Sequence, residues 1–391
     1  MLSTYIKMKN IREFFQENRT LIIFFLFFIV IYLLNFENYT NKVSTDYGAR
    51  YKLYGIKIIQ DIINWDFKSY FYLFGSEQFA FINSYFFPEL VTGFLLKISS
   101  KEVYFFIISN ILNILLLFSS FYFFFKTIIN KEKEAIMLIF LIFFFSYSAN
   151  WIWCFWKMAD IYFLFIFSLI FYYLNKGLEL REIKYILYSF IFTIISLFTK
   201  PQGFAVIPFF ITSIYLIYYK RNIHFYKFIL ISFVIYLILF PLIIFYLKKT
   251  GNINLVVTFF SEGNINGKIF YKYEEFLIGF SLQKNNLSEI LYFYFLFVKK
   301  IIYQLTFIRE TYSLKHNIFL FFYTLTIYFF IFINLDYFLK KKEILTKLIF
   351  LITFFSVLMH SSLNTAMDPN RHQLFNLVPI YILVSISIFK I

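Results

Sequence analysis

The sequence predicts an all-α fold: a polytopic bundle of about ten transmembrane helices in one integral-membrane domain, residues 1–391. Three observations carry this. Hydrophobic residues make up 61% of the chain and charged residues 15%, where an ordinary soluble domain has roughly half and one-quarter. Long runs without a charge recur, among them Leu21 to Phe36, Phe228 to Leu247 and Ile318 to Leu335, each able to cross a hydrocarbon core as helix. The polar–apolar alternation that a membrane β-barrel needs is missing.

In chain order, spans are expected at 20–36, 103–125, 135–150, 160–174, 185–199, 203–219, 228–247, 317–338, 348–363 and 374–390. The first run lacks a small-residue cleavage site and ends in the polar "NFENYTNK", so it reads as a retained helix rather than a signal peptide. With the N-terminus cytoplasmic, the short inner connections are "KTIINKEKE", "NKGLELREIK", "KRNIHFYK" and "KKKEILTK", all rich in Lys and Arg. The short outer ones, "WIWCFWKMA", "TKPQG" and "NTAMDPNRHQ", hold a single Lys or Arg each. Short cytoplasmic loops carry the excess of basic residues, which sets this orientation in a cell membrane, with the loops between 150 and 160, 199 and 203, and 363 and 374 outside. The net charge of +15 belongs to this asymmetry, because no basic soluble segment exists to bind nucleic acid. The single cysteine, Cys154, excludes an internal disulfide and any cysteine-based metal cluster.

Two longer outer segments remain. Residues 37–102 contain "YGIKIIQDII", whose apolar face suits an interfacial helix. Residues 248–316 contain "EILYFYFLFVKKIIYQLTFI", split by Lys299 and Lys300 and also read as interfacial, at about 290–308.

Under this topology the unusual polar residues fall on the outer side: Asp46, Glu77, Glu89, Lys157, Asp160, Lys200, His316, Arg371 and His372. Ionisable groups at membrane depth tend to be paired, to line a cavity or to work. Each also has a structural reading. Asp160 suits the first turn of a helix, and Lys200 can snorkel towards the headgroups. The cluster Trp151, Trp153 and Trp156 could stack on a sugar ring or form an interfacial aromatic belt.

Several fragments resemble the GT-C superfamily of multi-spanning, polyprenyl-phosphate-sugar-dependent glycosyltransferases. "STDYGARY" looks like their first outer loop, with Asp46 at the position of its acidic residue, and "FFPELVTGFLLK" like the proline-containing helix later in that loop. "MADIYFLFIFSLI" is similar to their fourth span, "FTKPQGF" to their short basic loop with proline and glycine, and "YSLKHN" to a segment before a late span. "MDPNRHQLFNLVPIYIL" resembles the arginine-bearing lead-in to a late helix of these enzymes. The chain departs from the family in having no soluble outer domain and no adjacent Asp-Glu or Asp-x-Asp pair near Asp46, so a divalent metal is not indicated and no cofactor is required.

The resemblance implies inverting transfer of a hexose or pentose from a polyprenyl-phosphate carrier to a glycan, lipid or protein acceptor at the outer face. Such chemistry needs a carboxylate to take the acceptor's proton, with Asp46 the first candidate and Glu77 and Glu89 its alternates. It needs cations for the departing phosphate: Arg371 for its planar fork, Lys200 as a point charge, and His372 as a donor or as a helix-terminal residue satisfied by a carbonyl. Asp160, Lys157, His316 and Trp153 could contact substrate. Two other classes stay open. A lipid or polysaccharide transporter should place charges mid-span and repeat its topology. A membrane acyltransferase or polymer ligase should show a His-centred intramembrane motif, whereas only His360 lies within an expected span.

Overall fold

A chain this apolar can shield its backbone polar groups from hydrocarbon only by pairing them internally, which a helix does within one segment. The computed structural model describes residues 15–40, 52–65, 86–99, 101–128, 133–146, 150–155, 159–200, 202–219, 225, 227–235, 238–239, 301, 313–362 and 374–391. Among the described residues every element is helical, as the composition requires.

The order is α1 (Arg19–Leu34), α2 (Phe36–Thr40), α3 (Lys52–Asn64), α4 (Phe86–Ser99), α5 (Glu102–Phe125) and α6 (Lys133–Phe145). A 3-10 turn, Ile152–Phe155, leads to α7 (Ala159–Leu180), α8 (Ile183–Leu197) and α9 (Gly203–Ser213), which runs on as π-helix over Ile214–Tyr219. The C-terminal group is α10 (Leu314–Ile333), α11 (Leu335–Lys341), α12 (Glu343–Ser362) and α13 (Leu374–Lys390). Helices α5, α7 and α10 are long and apolar enough to cross a membrane; α1, α8, α13 and the stretch 205–218 are shorter apolar helices. At about 1.5 Å per residue, the 24 residues of α5 reach about 36 Å, more than a hydrocarbon core of about 30 Å.

Helix α7 is the axis of the bundle. Phe163, Leu164, Phe167, Ile170, Phe171 and Leu174 are all buried, and α5, α8 and α13 pack around them. Rings interlock edge to face, as with Phe121 against Phe140 and Phe144 at 5.0 and 5.1 Å, and Phe167 against Phe375 at 5.2 Å. Outer helices instead expose apolar stripes, such as Leu187, Ile191 and Ile194 on α8 and Phe322, Phe329 and Phe332 on α10. Contiguous apolar exposure of this kind is what a lipid-facing surface presents.

Buried hydroxyls bond back to their own helix: Ser120 donates to Leu116 O, Ser213 to Phe209 O and Ser385 to Tyr381 O, each at 2.7 Å. One polar chain crosses between elements. Tyr323 Oη donates to Tyr381 Oη at 3.0 Å, and Tyr381 Oη donates to Asn150 Oδ1 at 3.2 Å. It ties α10 and α13 to the turn after α6.

Several helix ends differ from expectation for tertiary reasons. The span expected to reach 150 stops at Phe145, because Asn150 Nδ2 and Trp151 Nε1 turn back to donate to Phe144 O (2.9 Å) and Phe145 O (3.3 Å). These donors supply partners to carbonyls that the helix end leaves orphaned. Helix α7 runs to Leu180 instead of 174, so the expected connection "NKGLELREIK" shrinks to Arg181 and Glu182. The span expected over 317–338 breaks at Asn334, whose Nδ2 donates to Ser387 O at 3.2 Å, and α12 starts at Glu343 instead of 348. Within 228–247 the backbone is helical over 228–235 and 238–239; the interfacial helix expected at 290–308 lies outside the described residues apart from Ile301.

The two ends of the bundle carry unequal charge. At one end the ammonium groups of Lys126 and Lys133 lie over the Tyr122 ring, those of Lys176 and Lys184 over Tyr185, and that of Lys390 over Tyr337. Phe123 against Tyr172, at 5.8 Å, brings the C-terminal ends of α5 and α7 together there. The opposite end, where α7 begins and α8 finishes, carries the candidate site.

Candidate functional site

Helices α7 and α8 form an antiparallel pair, so the start of one and the finish of the other must meet. Asp160 is the second residue of α7, where a carboxylate faces the positive end of the helix dipole. Lys200 follows α8 in a tight turn. Thr199 N–H and Lys200 N–H donate to Ser196 O at 3.2 and 3.4 Å, and Gly203 N–H donates to Lys200 O at 2.9 Å. The turn sends the Lys200 side chain back over the first turn of α7, where its Nζ donates to Asp160 Oδ1 in a direct ion pair. Both side chains are almost wholly enclosed, at 2% and 1% exposure.

A third helix is fastened to this spot. The N-terminal N–H groups of a helix lack partners within it, as do the carbonyls at a C-terminus. Phe87 N–H, in the first turn of α4, donates to Phe198 O at 2.8 Å, so one orphan satisfies the other. The Phe87 ring meets Tyr162 of α7 edge-on at 6.2 Å. Glu89, two residues further along α4, is fully buried. The α4 backbone is itself pressed against α3: a Cβ placed on Gly93 would stand 2.0 Å from Gly55 O. Only glycine at position 93 permits that crossing. Glu89, Asp160 and Lys200 are thus carried to one end of the bundle by three helix termini bonded to one another.

The other candidates divide. His316 is exposed in the first turn of α10, where its backbone N–H donates to the Ser313 N-cap hydroxyl at 3.3 Å. Trp153 lies in the 3-10 turn, but its side chain lies outside the described residues. Its neighbour Trp151 is half-buried, with its ring packed on Phe28 at 5.4 Å and Phe155 at 6.3 Å. Asp46, Glu77, Lys157, Trp156, Arg371 and His372 lie outside the described residues. Sequence reasoning missed Asn113, whose Nδ2 donates to Cys154 O at 2.8 Å and fixes the 3-10 turn ahead of α7. An Asn within an apolar helix is the signal that could have found it. No group of three His, Cys, Asp or Glu side chains able to hold a metal forms among the described residues.

Chemically, the cluster offers an ammonium paired with Asp160 and carboxylates able to accept protons. Compared with family models, with curated proteins and with solved structures, the chain finds no match in any of the three.

Proposed function

We propose that this chain is a GT-C-like integral-membrane glycosyltransferase of about ten spans, moving a sugar from a polyprenyl-phosphate carrier to a glycan, lipid or protein acceptor at the outer face of the cell membrane. The observation that carries the reading is the buried Asp160–Lys200 pair at the bundle end opposite the basic cluster. Basic residues favour the cytoplasmic end of a membrane protein, which supports a reading with the pair's end outside and the N-terminus in the cytoplasm.

A buried ion pair is weak support for stability, since well-packed apolar residues often serve as well or better. Its burial at this end of the bundle fits a task. In this reading Lys200 turns from Asp160 to the donor phosphate when the carrier lipid binds, and Asp160 holds the ammonium ready until then. Glu89 or Asp46 takes the acceptor proton, and Arg371 grips the phosphate oxygens beside Lys200. No metal or other cofactor is assigned a step. The pair stands at helix ends, whereas a transporter is expected to bury its charges at mid-membrane, so transfer is favoured over transport.

Donor recognition can be measured apart from turnover. The purified chain is titrated with a polyprenyl-phosphate sugar, with polyprenyl phosphate and with uncharged polyprenol. Binding of both phosphates, weakened in Lys200→Met and with polyprenol excluded, supports the reading. Equal binding of all three removes the phosphate site.

A further inference from the structure

The α7–α8 connection is two residues long, and it concentrates cations at the other end of the bundle. The Lys176 ammonium lies 4.3 Å from the centre of the Tyr185 ring, and the Lys184 ammonium 4.9 Å from the same ring. One ring face attracts a cation but cannot neutralise two. Glu182 pairs with Lys184 at 2.5 Å, while Lys176 and Arg181 join no ion pair among the described residues. With Glu179 and Glu182 both counted, residues 176–184 hold three cations against two carboxylates, so the turn keeps a net positive charge.

It also holds that charge rigidly. Arg181 ends α7 in the left-handed region at φ 59°. Gly177 lets α8 approach so closely that a Cβ there would meet Ile186 Cγ1 at 2.8 Å. Tyr173 stacks on Phe192 with planes 6° apart.

The same helix face carries an exposed apolar stripe. From Lys184, steps of three and four residues lead to Leu187, Ile191 and Ile194, which are 54%, 47% and 42% exposed. An amphiphile whose tail lies along that stripe has its head at the ammonium groups. We propose that the α7–α8 turn binds the phosphate headgroup of an anionic phospholipid, with Lys176, Arg181 and Lys184 as donors and the α8 stripe supporting the acyl chain. This rests on the membrane-spanning reading and is independent of the transferase.

The purified full chain is titrated in detergent micelles with phosphatidylglycerol, phosphatidylcholine or inorganic phosphate, and bound lipid is counted by native mass spectrometry. Each Lys near an anionic lipid surface is worth about fivefold in binding, so Lys176→Ala/Lys184→Ala should weaken phosphatidylglycerol binding about 20-fold or more. Phosphatidylcholine should bind weakly throughout. Lys176→Arg/Lys184→Arg, which keeps both charges, should bind like the wild type, and so should Lys340→Ala/Lys341→Ala. Variants are compared at matched elution and melting temperature. Equal binding of both lipids, an unchanged Ala variant, or equal loss in the Lys340/Lys341 control would overturn the site. Displacement of the lipid by inorganic phosphate would make it a free-anion site and overturn the lipid assignment.

Discussion

Breaking the Asp160–Lys200 pair from one side should cost far more than removing it whole. Lys200→Met leaves a carboxylate at 1% exposure with its salt-bridge cation gone, and Asp160→Asn leaves an ammonium at 2% exposure. Loss of one partner from a buried pair costs about 3–5 kcal/mol, because the remaining charge stays desolvated without its counter-ion. The double variant Asp160→Asn/Lys200→Met removes both charges of the pair and keeps nearly the same volume, so its cost should be about 1–2 kcal/mol, the scale of an imperfectly bonded amide. The double-mutant cycle then gives a coupling of at least about 4 kcal/mol, the singles summing to about 6 kcal/mol or more against about 2 kcal/mol for the double. Unfolding in mixed micelles against rising SDS, followed by tryptophan fluorescence, measures all four proteins. Single variants that each cost under about 1 kcal/mol, with costs that simply add, would refute the reasoning. The pair would then be reached by water, and neither its burial nor the role built on it would stand. The cycle also separates structure from function: the double variant should be folded and inactive in sugar transfer, whereas a pair that only pins helices would leave it active.

Further outcomes follow from single contacts and from topology. Gly93→Val forces α3 and α4 apart at their backbone crossing and should lower the melting temperature by several degrees, while Thr92→Val beside it should change little. Tyr381→Phe removes the donor to Asn150 Oδ1 and the acceptor for Tyr323 Oη; stability measured by the same SDS titration should fall by about 1–3 kcal/mol. In a Cys154→Ser background, Thr365→Cys should react with an impermeant reagent added outside intact cells and Lys131→Cys should not; labelling of both from outside would reverse the orientation argument. Asp46→Asn should lower turnover roughly 100-fold or more with donor affinity held, and Arg371→Lys should weaken donor binding, since Lys keeps the charge without the planar fork.

Much of the architecture was readable without coordinates because burial and lipid exposure both demand apolar side chains, and helix is the element that satisfies a backbone in hydrocarbon. The expected span 374–390 coincides with α13 and 103–125 with α5 to within a residue. What failed were ends set by distant groups. Asn150, Trp151 and Asn334 act on carbonyls of their own or other helices, and no local pattern near 145 or 334 encodes that. The site was legible in pieces. Asp160 and Lys200 each stood out, but their pairing across 40 residues was not drawn, although a start of one span and a finish of the next must share an end. Glu89 was read as an alternate base, and its burial beside the α8 terminus depends on the bond from Phe87 N–H to Phe198 O, which composition cannot reveal.

Sugar transfer from a lipid phosphate at the outer end of this bundle is what we propose. The most direct measurement is a turnover assay: purified wild-type chain with a panel of labelled polyprenyl-phosphate hexoses and pentoses, scoring label transferred to extracted membrane glycans, lipids and proteins. The account predicts transfer from at least one donor, absent in Asp160→Asn/Lys200→Met at equal folding. Donors that all remain intact with every acceptor, or transfer that persists undiminished in the double variant, would contradict it.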